Sequence, residues 1–136
     1  MRNGKHPRHG ERGFTLMEMM IVAALIGILA TIAVGQYRRS IIKARESTLR
    51  SSLYTMRTQI NNYFADKGKY PSDLEALVSE HYLRAIPVDP ITQSSDTWVT
   101  EAAELGEEDA SQEPGIADVR SGAEGTATDG TSYSEW

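Results

Sequence analysis

Residues Phe14 to Val34 form an apolar run of about twenty positions in which Glu18 carries the only charge. At ~1.5 Å rise per residue a helix of that length reaches roughly 30 Å, enough to cross the hydrocarbon core of a bilayer. Past the run the pattern changes. Ile42, Leu49, Leu53, Met56, Ile60 and Tyr63 or Phe64 recur at spacings of mostly three and four, with Arg45, Arg50, Arg57 and Gln59 between them. That period predicts an amphipathic continuation of the same helix, its apolar stripe packed on a small globular region and its polar residues on the other faces. No proline interrupts residues 14–70, and Lys67-Gly68 is a stop signal, Gly68 being suited to the left-handed cap. The expectation is one helix of roughly fifty residues, weakened at Gly27 and Gly35 by ~1 kcal/mol each relative to alanine.

The remaining elements are short. Pro71 biases Tyr70 away from helix, so Lys69-Tyr70-Pro71 is a turn. Ser72-Asp73-Leu74-Glu75 has the form of a capping box, opening a helix over about 73–80 that turns Leu74, Leu77 and Val78 inward. Pro87 and Pro90 forbid helix and make Tyr82–Pro90 an extended loop. Residues 97–100 and 116–120 are the two credible strands. Between them lie Glu101, Glu104, Glu107, Glu108, Asp109 and Glu113 with no base, a solvated loop or a surface that faces a partner. The tail from Ser121 is rich in Gly, Ser and Thr, which by composition is a floppy end. Against that, Trp136 is a large apolar group to anchor, and oxygen donors on a glycine-bearing loop are what a hard cation requires.

Composition narrows the chemistry. At 136 residues the chain is one small domain and an anchor. There is no cysteine, so no disulfide closes a loop and neither thiol catalysis nor a Cys-based zinc site exists. Two of the three histidines, His6 and His9, precede the apolar run, which leaves His81 alone and makes a histidine-based catalytic or metal cluster unsupported. From Ile86 onward there are twelve acids and one base, Arg120, a balance that argues against nucleic-acid binding. No Ser/His/Asp constellation points to an enzyme. Charge alone does not orient the span: the flank before it nets +3 in side chains and the flank after it +4.

The residues at the start of the span form a motif. A basic segment ends in Gly13, followed by Phe14-Thr15-Leu16-Met17-Glu18 and the apolar run. A carboxylate at membrane depth costs several kcal/mol, so an acid there marks a functional site. Gly13-Phe14-Thr15-Leu16-x-Glu18 resembles the processing site of type IV pilins and type II secretion pseudopilins. The resemblance implies a leader at 1–13 cut by a prepilin peptidase after Gly13, a new N-terminus at Phe14 that is methylated, and use of Glu18 in subunit docking. Without the leader the chain would carry ten basic and eighteen acidic side chains, a net −8. The Gly68-Lys69-Tyr70-Pro71 turn, the short helix and the Ile86-Pro87-Val88-Asp89-Pro90 loop are similar to those of the major pseudopilins in particular, as is the absence of a disulfide. Where relatives usually have proline, this chain has Gly35, and Ile91-Thr92 stand where an aromatic and a glycine are usual.

The fold implied is α+β, the pilin fold: a transmembrane helix over 14–35, its amphipathic continuation over 36–68, and a globular region over 69–136 in which a short helix and a small antiparallel sheet pack on it. The tail is similar to the calcium loop of major pseudopilins, on which Glu124 and Asp129 are candidate ligands for Ca²⁺; the other reading is a solvated acidic turn. The function implied is that of a structural subunit, not an enzyme. It would be single-pass in a bacterial inner membrane with its C-terminal domain in the periplasm. Its partners would be other copies in a helical filament, the prepilin peptidase, minor pseudopilins and an inner-membrane assembly platform. A type IV pilus subunit for adhesion or motility, and a membrane-anchored binding module, are the alternatives.

Overall fold

The computed structural model describes residues 13–104, 106 and 113–136. The expected leader up to Arg12 and most of the acidic loop, Glu107, Glu108 and Asp109 included, lie outside the described residues. Helix α1 runs Leu16–Lys67, 52 residues, close to the length expected. The chain divides into two compact units, Met1–Arg39 and Ser40–Trp136.

In the first unit Leu16, Met17, Ile21, Leu25, Ile28, Leu29 and Ile32 are all exposed. Among the described residues this is the one helix long and apolar enough to cross a membrane, with a mean hydropathy of 2.3 in its most apolar stretch. Gly27 and Gly35 are helical, and the Thr31 hydroxyl donates to the Gly27 carbonyl at 2.8 Å.

The second unit holds the core. Leu49, Leu53, Met56, Ile60 and Tyr63 are buried, resolving the choice between Tyr63 and Phe64 in favour of Tyr63. Phe64 is exposed and stacks on Tyr70, ring centroids 4.4 Å apart. Ile42 is exposed as well, so the buried stripe begins one turn later than its spacing suggested, and it begins with an acid, Glu46. The helix stops as expected: Gly68 has φ +69°, and its N–H donates to the Phe64 carbonyl at 2.8 Å. Helix α2, Leu74–Ser79, adds Leu74 and Leu77 to the core. Its cap is Asp73, whose Oδ1 accepts from the Ala76 N–H at 2.7 Å, and not Ser72 of the expected capping box.

Strands β1 (Trp98–Ala102) and β2 (Ile116–Ser121) pair antiparallel, with a register shift at Glu101/Ala102. Glu101 therefore lies in a strand, not in the acidic loop, and Arg120 across the ladder pairs with it at 2.9 Å. The Trp98 side chain packs in the core and donates through Nε1 to the Pro87 carbonyl at 2.8 Å, tying the proline loop to the sheet. Asp89 of that loop is fully buried; its carboxylate accepts from the Ile91 and Thr92 N–H groups and from the Ser121 hydroxyl at 2.5 Å. At Gly122, just past β2, a Cβ would lie 2.1 Å from the Thr97 carbonyl oxygen, so the close approach of the two segments admits only glycine. The layout is the α+β one expected, with a sheet of two strands among the described residues.

Candidate functional site

Two places in the chain carry charge where apolar residues would be expected, one in each unit. In the first, Gly13 and Phe14 precede the helix and are exposed. Thr15 caps it: its Oγ1 accepts from the Glu18 N–H at 3.2 Å, and its carbonyl accepts from the Met19 N–H at 3.1 Å. Glu18 thus occupies the first turn, where a helix favours an acid. The motif read from the sequence is laid out here as an exposed Gly-Phe step, a cap, and a carboxylate one turn on.

The second place is centred on Glu46, which is 6% exposed. Its Oε1 accepts from the Thr128 N–H at 2.8 Å and the Tyr133 hydroxyl at 2.9 Å, and its Oε2 from the Thr128 hydroxyl at 2.5 Å. Burial pushes this carboxyl up, and the nearby Asp129 charge adds to that, but the Thr128 hydroxyl and N–H and the Tyr133 hydroxyl outweigh both and hold it below its ordinary 4.5. Burial and the bond to Glu46 raise the Tyr133 phenol in turn.

Below Glu46 on α1, at spacings of four, three and four, come Arg50, Leu53 and Arg57, all on one helix face. Arg50 donates to Asp129 Oδ2 at 2.6 Å and lies 4.0 Å from the centre of the Trp136 ring. Arg57 donates to Asp118 Oδ1 at 2.7 Å and, at 2.9 Å, to the carbonyl oxygens of both Val119 and Trp136. The two arginines stand off the apolar stripe as expected, Arg50 exposed and Arg57 half-buried. They grip the tail, and the tail is an ordered loop: Ala127–Gly130 forms a tight turn with Gly130 at φ +89°, and Tyr133–Glu135 is a 3-10 turn. Trp136 packs at the edge of the core against Tyr133, as an anchor would.

The two candidate calcium ligands differ in their surroundings. Asp129 spends Oδ1 on the Thr131 N–H and hydroxyl, at 3.0 and 2.6 Å, and Oδ2 on Arg50; the Thr131 bonds first and then Arg50 hold it below the usual carboxylate range. Glu124 is exposed. Among the described residues no three His, Asp or Glu side chains come together as metal ligands.

Glu46 was legible only as a phase. It stands three residues before Leu49 and seven before Leu53, so an acid occupies a position of the buried stripe. Arg50 and Arg57 carry no such signal, because their partners lie more than sixty residues away.

Comparison with known proteins places this geometry. Residues 8–34 match the family described as the prokaryotic N-terminal methylation motif, which spans Gly13, Phe14 and Glu18. Competence protein ComGC of Halalkalibacterium halodurans is 34% identical over 79 residues, 58% of this chain and 78% of that protein. The chain belongs to the type IV pilin-like superfamily. This pilin-like chain is also 34% identical to fimbrial protein EcpC of Eikenella corrodens over 83 residues, 57% of the chain, and spans about half (54%) of that protein's length. It is 29% identical to type II secretion system core protein G of Klebsiella michiganensis over 99 residues, 61% of this chain and 70% of that one. No solved structure gives a significant match.

Proposed function

We propose that this chain is the repeating, non-catalytic subunit of a periplasmic type II secretion pseudopilus. The observation that carries the assignment is how far each likeness runs. The match to secretion core protein G covers 61% of this chain, against 57% for the fimbrial protein and 58% for the competence protein. A second reading, a type IV pilus subunit, is favoured by the higher identity of the fimbrial match.

In either filament a prepilin peptidase removes the leader by hydrolysis between Gly13 and Phe14, and the new Phe14 amine is methylated. The exposed Gly-Phe step and the match to the methylation motif support this. Glu18, one turn on, then offers its carboxylate to a Phe14 ammonium of the same or a neighbouring copy, which offsets the cost of holding it in lipid. The apolar half of α1 anchors the chain in the inner membrane until an assembly platform and minor pseudopilins add it to the filament, with the globular unit on the periplasmic side.

Deleting the gene separates the two readings: loss of exported enzymes from the medium with surface fibres unchanged supports the pseudopilus, and the reverse supports the pilus. Mass spectrometry of the membrane form should find an N-methylated chain beginning at Phe14; an intact leader on the assembled form would refute the processing step.

A further inference from the structure

We infer that this chain closes its C-terminal loop with its own guanidinium in the place of a divalent cation, so that the loop is ordered without calcium. The Asp129 carboxylate of the C-terminal turn has a positive partner. Here that partner is covalently part of α1. Arg50 sits 2.6 Å from Asp129 Oδ2, and Oδ1 accepts both Thr131 donors. The Thr131 hydroxyl also accepts from Trp136 Nε1 at 2.6 Å, and the Arg50 guanidinium lies over the Trp136 ring. Arg50, Asp129, Thr131 and Trp136 thus form a closed cycle in which each member holds the next.

The cycle leaves a metal little to bind. Three of the roughly four lone-pair positions on the Asp129 carboxylate are engaged, one by a cation already. The nearest buried carboxylate, Glu46, is committed to the Thr128 N–H, the Thr128 hydroxyl and the Tyr133 hydroxyl. The carbonyls of Gly125, Ala127 and Thr131 accept from the Tyr133, Gly130 and Ala127 N–H groups. A divalent ion at Asp129 would also lie within a few ångströms of the guanidinium, and like charges that close repel. The inference does not depend on which filament the chain builds.

The test uses the full chain in detergent micelles and a glutamate-specific protease, which cuts after Glu124 when the loop opens. The wild type should be cut at the same rate in millimolar CaCl₂ and in EGTA. Arg50→Gln should be cut several-fold faster than wild type in both, and Arg50→Lys, which keeps the charge and loses the planar stack, at a rate between them. Far-UV circular dichroism checks that the helix persists. If Arg50→Gln does not fold, Asp129→Asn removes the same contact from the loop side and should open the loop likewise. Protection of the wild-type loop by CaCl₂, or cutting of the Arg50→Gln and Asp129→Asn chains at the wild-type rate, would overturn the inference.

Discussion

A buried carboxylate stays charged only where donors surround it, and Glu46 has three. Glu46→Ala would leave the Tyr133 hydroxyl and the Thr128 N–H without partners in a nearly closed site, and should destabilise the globular unit by about 3 kcal/mol. Tyr133→Phe removes one bond and leaves the carboxylate two donors; its cost should be nearer ~1 kcal/mol. Thermal or urea unfolding of the detergent-solubilised chain measures both. The sign of the pH effect follows from the direction of the shift. The folded Glu46 carboxyl lies below its ordinary 4.5, so the unfolded state binds its proton first on acidification. Stability from this group is present above 4.5 and lost as the pH falls through the lower folded value. Glu46→Gln, which cannot titrate, should flatten the wild-type loss of stability in that window. If the acid limbs of the two unfolding curves superimpose, Glu46 is not the group responsible. The chemistry of this residue is invisible in its neighbours along the chain, since Thr128 and Tyr133 are 82 and 87 residues away.

Local signals sufficed where an element is decided by its own residues. The stripe at Leu49, Leu53, Met56, Ile60 and Tyr63 is a period, and Gly68 is a cap that needs no tertiary partner. They failed by one residue at α2, where Ser72 and Asp73 are both good caps and only the backbone chooses. They failed more widely in the tail, because a Gly/Ser/Thr composition describes a disordered end and a side-chain-latched loop equally well. The sheet shows the same limit. Nothing in Ser121-Gly122 announces that the Thr97 carbonyl passes so close that a methyl group at Gly122 would lie 2.1 Å from it. Gly122→Ala should therefore separate the end of β2 from β1 and cost about 3 kcal/mol, the upper part of the range for overpacking. An amide-exchange map should show the loss of protection centred on Trp98 and Ser121. A variant as stable as wild type would mean that the two segments part easily.

Over the whole molecule, the two charged sites belong to different units of the chain. Glu18 belongs to the lipid-facing unit and has no part in the core, so Glu18→Ala should leave membrane insertion and the melting of the globular unit unchanged while filament yield falls at least tenfold, on the order of the 1.4 kcal/mol that a tenfold change represents. Unaltered filaments in that variant would remove Glu18 from assembly. The latch at Glu46, by contrast, has a consequence in time. Helical turns form in well under a millisecond from local contacts, whereas joining Glu46 to Tyr133 closes a loop of 87 residues, an entropic cost met only late in folding. Interactions that form after the rate-limiting step slow unfolding without speeding folding. Substitutions at Glu46, Thr128 or Tyr133 should accordingly steepen the unfolding rate and leave the refolding rate nearly untouched, with φ close to zero. In that case the last dozen residues act as a clasp on the lifetime of the folded subunit: they decide how long it lasts once made, and have almost no say in how quickly it is made.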